Sequence, residues 1–166
     1  MEKLLKVLYN ILENEYDYYL DLNEFAAAKK KAIIDNDVEG LSQIIVEEKE
    51  LIAELNQLET ERDDILDKLK HDISESEAAL NFNQLVASVS DSWSDKFKKI
   101  RDKLLQTIDE LHQKNESNKL LINEAIKMNK FSYQMIARVV DPTNNTYNKD
   151  DDSTENSARH FMDRRA

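Results

Sequence analysis

A single glycine, Gly40, and a single proline, Pro142, are the only strong backbone breakers in 166 residues. Glycine gives a chain access to left-handed backbone and proline ends helices, so a sequence nearly free of both has little turn chemistry from which to build a sheet. Helices long enough to fold into hairpins are what remains. Catalytic groups usually ride on loops held by a scaffold, whereas long amphipathic helices offer faces and grooves to other proteins. Binding is therefore the leading function class before any motif is considered.

The apolar spacing supports this reading. Leu5, Leu12, Tyr19, Ala26 and Ile33 recur every seven residues, flanked by Leu4, Leu8, Ile11, Tyr18, Leu22 and Phe25, which predicts a helix over about 2–34. Asp35-Asn36-Asp37 stops it, and Asn36 with Glu39 three residues on reads as a capping box for the next helix. That second helix carries Leu41, Ile44, Leu51, Leu55, Leu58, Ile65 and Leu69, with Glu48 and Arg62 interrupting the seam, and runs to about residue 72. Ser74 to Glu77 break the pattern, and Leu80 to Val89 reads as either a small helix or a packed crossover. Ser92-Trp93-Ser94-Asp95 resembles a second capping box. It opens a third long helix, marked by Trp93, Phe97, Ile100, Leu104, Ile108 and Leu111, that ends by Val140 because the residue before Pro142 is disfavoured in helix. The expected fold is all-α: an elongated antiparallel helical hairpin or coiled-coil bundle of three long helices over 1–140, followed by a disordered, flexible tail over 141–166 rich in Asn, Asp, Ser and Thr. Seams of this kind serve a monomer and a homodimer alike.

Charge and composition narrow the partners. The formal net charge is −11 with no concentrated Lys/Arg stripe, which argues against nucleic acid. No cysteine is present, so disulfides, thiolate nucleophiles and Cys-based zinc sites are excluded together. Residues 1–20 carry Glu13, Glu15 and Asp17 in a helical pattern, which does not read as a signal peptide, and no stretch has the length of a membrane span. The expectation is a soluble cytoplasmic protein that does not insert into membranes.

No catalytic, cofactor or metal site is expected. Asp35, Asp37, Glu39 and Gly40 imitate the start of a calcium loop, but its twelfth position is Val46 where a bidentate carboxylate is needed. Asp150-Asp151-Asp152 lacks the accompanying glycine and reads as a solvated charge run. His71, His112 and His160 are too scattered for a zinc site, the residues following His71 and His112 supply no obvious cleft for phosphotransfer, and no nucleophile, base and orienting group stand in a recognisable set.

The third helix holds the binding candidates. Asn118 lies on the seam, seven residues from both Leu111 and Ala125, so it either sets register between helices or bonds to a partner helix. Leu121, Ile122, Met128, Met135 and Ile136, with Phe131 and Tyr133 nearby, make the end of this helix apolar and adaptable. Asn118, Leu121, Ile122, Met128, Met135 and Ile136 are the expected binding residues. A coiled-coil adaptor or dimerisation module is the alternative.

The turn Asn36-Asp37-Val38-Glu39-Gly40-Leu41, the following Glu47-Glu48-Lys49-Glu50-Leu51, the stretch Asn115-Glu116-Ser117-Asn118-Lys119-Leu120-Leu121 and the tail Pro142-Thr143-Asn144-Asn145-Thr146-Tyr147 occur in one order along the chain. In these features the sequence resembles the FlgN family of flagellar export chaperones. The resemblance implies a cytoplasmic chaperone that holds the C-terminal helices of the hook-filament junction proteins FlgK and FlgL, prevents their premature assembly, and delivers them to the type III export gate. It also implies a gate-docking role for Tyr147, although Asn148 stands where glycine often follows that tyrosine.

Overall fold

The computed structural model describes residues 1–73 and 82–140, every helix among them being α: α1 (Glu2–Ile34), α2 (Val38–Ile73), α3 (Phe82–Ser88) and α4 (Asp91–Val140). The three long helices match the heptad pattern, and the apolar stretch near Val89 contributes a seven-residue helix, α3. The tail from 141 and the break at Ser74 to Glu77 lie outside the described residues. Contacts divide the chain into two compact units, Met1–Ile126 and Lys127–Ala166.

Both expected capping boxes are displaced. Asn36 is not a cap: it sits at φ 56 and closes α1, with its own N–H on Ile33 O (3.2 Å) and the Asp37 N–H on Ala32 O (2.9 Å). This is a Schellman closure using asparagine, the side chain that best tolerates left-handed backbone after glycine. Asp37 then caps α2 through Oδ1, which accepts the Gly40 N–H at 2.9 Å. One carboxylate thus takes the place of the imagined calcium loop, and a Cβ on Gly40 would collide with it. At α4 the helix opens earlier than the sequence suggests, because the Ser90 carbonyl accepts from both Trp93 N and Ser94 N at 2.9 Å.

Within the first unit, α1 is the central element. Against α2 it runs antiparallel, and the register is marked by two ion pairs. Arg62 forks onto both Glu15 oxygens at 2.8 and 3.0 Å, and Lys29 meets Glu48 at 2.5 Å. Glu15 and Lys29 are two heptads apart on α1, as are Arg62 and Glu48 on α2, so the pairs occupy the same seam positions. The residues that interrupt the apolar seam of α2 are therefore partners of interruptions on α1. Burial of Glu15 raises its pKa above the usual carboxylate value, and the Arg62 guanidinium opposes that rise.

Against α4, α1 runs parallel. The apolar core gathers at one end: Leu5, Leu8 and Leu12 pack with Leu69, Leu85, Phe97, Ile100 and Leu104. Phe97 is fully buried, stacked with Trp93 at 5.7 Å and edge-on to Tyr9 and Phe82. Further along, the α1–α4 contact turns polar. Asn23 donates to Thr107 O at 2.9 Å, and Asn118 donates to Ala26 O at 2.8 Å. Thr107 is buried at the seam position, whereas Ile108, the residue expected there, is 38 % exposed. A strict heptad selects the former and a four-residue step from Leu104 selects the latter, so the chain follows the heptad at the expense of hydrophobicity.

Candidate docking surface

Helix α4 carries one heptad pattern whose cover changes along its length. Phe97, Ile100, Leu104, Thr107 and Asn118 are buried, and Leu111, Leu121 and Ala125 are half-buried. The change follows from the length of α1. Ala26 is bonded to Asn118, so the eight residues left on α1 up to Ile34 correspond to the eight on α4 up to Ile126, where the first unit ends. At 1.5 Å per residue, parallel helices in contact run out together.

The second unit is described over 127–140, and every side chain described there is exposed. Five of them are large and apolar and share a face: Met128 (70 % exposed), Phe131, Met135, Ile136 and Val139 (77 %). At 100° per residue Phe131, Met135, Met128 and Val139 form a continuous stripe, and Ile136 borders it. Single exposed hydrophobes are ordinary, but a stripe of five on three helical turns is the usual mark of an interaction face. Two of these five are methionines, whose unbranched side chains repack around different surfaces.

The six expected binding residues therefore fall into three situations. Met128, Met135 and Ile136 are exposed on the second unit. Leu121 is half-buried and Ile122 is 39 % exposed on the first. Asn118 is 5 % exposed, with its amide bonded to Ala26, so it takes the interhelical position. Its Oδ1, like that of Asn23, has no hydrogen-bond partner among the described residues. Phe131 and Val139 belong to the stripe although neither was among the six. Their spacing of three from Met128 and four from Met135 was the available signal. Tyr147 lies outside the described residues, as do Asp150-Asp151-Asp152 and His160.

A second surface among the described residues is acidic. A groove between α1 and α2 sets the half-buried Phe25 and Leu51 among Asp21, Glu24, Glu47, Glu50 and Glu54, all of them exposed. Among the described residues no three His, Cys, Asp or Glu side chains converge as metal ligands, and no helix is long and apolar enough to cross a membrane.

Comparison with known proteins adds one finding. The family model described as FlgN protein matches residues 1–155. No curated protein and no solved structure matches the chain significantly.

Proposed function

Because the chain belongs to the FlgN family of flagellar export chaperones, we propose that it holds the C-terminal helices of the hook-filament junction proteins FlgK and FlgL, keeps them from assembling early, and hands them to the type III export gate. The observation that carries this reading is the stripe of Met128, Phe131, Met135, Ile136 and Val139, exposed on a helix. An amphipathic helix of the cargo lies along it, and each large side chain buried there contributes about 1.5–3 kcal/mol before the cost of association is subtracted. Export cargo must be released again, and a single-helix face of this size suits a transient grip.

Asn118 holds α4 against α1 within the first unit, on the same helix that goes on to carry the surface. Leu121 and Ile122 are proposed as further cargo contacts on the first unit. Residues 1–140 are proposed as the helical domain and 141–166 as the flexible delivery tail, with Tyr147 as its anchor on the gate. An aromatic with few apolar neighbours in sequence can fill a receptor pocket at small entropic cost. No catalytic step is involved, and the protein works in the cytoplasm.

Met128→Glu, Met135→Glu and Ile136→Glu test the cargo step. Each should keep the helical circular dichroism of the parent and lose co-purification with FlgK and FlgL. Full cargo binding by these folded variants would refute the surface. Tyr147→Ala should retain cargo binding and lose gate association and secretion of the junction proteins. Normal secretion by that variant would remove Tyr147 from the mechanism.

A further inference from the structure

The groove between α1 and α2 has an apolar floor and an acidic rim, with no Lys or Arg lining it. Phe25 and Leu51 form the floor, and Asp21, Glu24, Glu47, Glu50 and Glu54 surround it in a cavity of about 290 Å³. Glu47 accepts from the Gln43 amide at 3.1 Å and Glu54 from the Tyr18 hydroxyl, both neutral donors. Among the described residues no cation pairs with any of the five. Elsewhere along the same two helices the chain does the opposite, setting Arg62 on Glu15 and Lys29 on Glu48. Carboxylates left facing one cavity repel one another, and a cation seated among them removes that repulsion.

The sequence holds a segment of the complementary chemistry. Of six arginines in the chain, Arg159, Arg164 and Arg165 stand within residues 158–166, beside Phe161 and Met162, and Asp163 is the only acidic side chain there. We propose that this segment, which lies outside the described residues, seats in the groove of its own chain. An apolar side chain enters against Phe25 and Leu51, and guanidinium groups fork onto the rim carboxylates. A cavity of this volume suits a short segment better than a whole partner helix. The linking chain is long enough. Phe25 lies nine residues from the end of α1, about 14 Å, and residues 127–140 add about 21 Å at most. Residues 141–158 can span about 60 Å, which covers the return however the second unit is set. A tethered segment has an effective concentration of about 1 mM, so the chain's own copy outcompetes that of a second molecule at ordinary protein concentrations. The groove is separate from the stripe on 127–139, so failure of this inference leaves the cargo reading standing.

The chain has no cysteine, so Ser157→Cys gives a single site for a nitroxide spin label on the full-length protein. The label should strip most of the amide signal from residues 21–25 and 47–54 and leave residues 5–8 unchanged. High salt should restore the lost signal, because exposed charge pairs are screened. Arg164→Glu/Arg165→Glu should abolish the loss, and adding Glu24→Arg/Glu50→Arg to that variant should bring it back. The four positions avoid the buried core, and helical circular dichroism checks that each variant is folded. Signals of 21–25 and 47–54 untouched by the label, or lost equally in the Arg164→Glu/Arg165→Glu chain, would overturn the proposal. Mixing spin-labelled chain with isotope-labelled chain that carries no spin label identifies the source. No loss is expected in the mixture, and a loss as large as that within one chain would give the groove to a second copy and overturn the assignment.

Discussion

The two ends of α4 are written in the same pattern and have opposite fates. Residues 93–104 place Trp93, Phe97, Ile100 and Leu104 against α1, and Phe97, Ile100 and Leu104 are buried. Residues 128–139 place Met128, Phe131, Met135 and Val139 at comparable spacing, and all four are exposed. Periodicity specifies that a helix has an apolar face; the length of its neighbours decides whether that face is buried or left exposed. Composition differs in part: residues 93–104 contain no methionine, whereas two of the four exposed side chains are the adaptable methionines Met128 and Met135.

The sharpest way to break this comparison is to truncate one large aromatic at each end. Phe97→Ala should cost about 3–5 kcal/mol of unfolding free energy, the usual loss for a fully buried phenylalanine. Phe131→Ala should change stability by less than about 0.5 kcal/mol, as exposed positions do, while weakening partner binding. Chemical denaturation of the two variants side by side reads both values. Similar losses at the two sites would mean that 127–139 is covered in solution.

The seam between α1 and α2 allows a second contrast, between the members of one ion pair. Glu15 is 2 % exposed and the Arg62 side chain 29 %. Arg62→Met strands a buried carboxylate and should cost about 3 kcal/mol at neutral pH. Glu15→Gln leaves a cation that can reach water, and its effect should stay within about 1 kcal/mol. The raised pKa of Glu15 makes its charged form a burden on the fold, a burden absent below the unfolded-state pKa and fully imposed once pH has risen through the folded-state value. Glu15 therefore subtracts stability as pH climbs towards neutral, and Glu15→Gln should flatten that part of the stability curve in pH-dependent denaturation.

Asparagine at the α1–α4 seam is expected to show a smaller effect of opposite sign. Asn118→Leu removes an unpartnered Oδ1 and adds apolar contact, so thermal stability should hold or rise by about 1 kcal/mol. If Asn118 sets register, the same variant should also give extra species in size-exclusion chromatography or broadened amide resonances. A single sharp species would show that register is set elsewhere, with the ion pairs the leading candidates.

The smallest effect belongs to Gly40. Gly40→Ala gains helix propensity of about 1 kcal/mol but displaces the Asp37 cap, worth a similar amount, so the single substitution should be near neutral. In an Asp37→Ala background only the gain survives, and thermal denaturation should show Gly40→Ala stabilising.

These particulars show what was legible beforehand. Helix extents followed from the heptads and from the interruption at Asp35-Asn36-Asp37, because such signals are local and, for the heptads, repeated. The caps did not, since Asn36, Asp37 and Ser90 are all competent cap residues and tertiary geometry chooses among them. Arg62 and Glu48 were visible as interruptions, but their partners Glu15 and Lys29 required the antiparallel register. The candidate surface was half legible: Met128, Met135 and Ile136 stood out by composition. Asn118 gave no sign of which alternative it takes, because the same seam position serves an internal neighbour and an external one.

The central claim is that 127–139 receives a partner helix while 93–104 is committed to the fold. Amide hydrogen exchange on the full chain, with and without a junction-protein C-terminal segment, measures both stretches in one experiment. The expected result is weak protection of 127–139 in the free chain, a rise there on adding the segment, and no change over 93–104. A rise confined to other helices, with 127–139 unaltered at saturating segment, would contradict it.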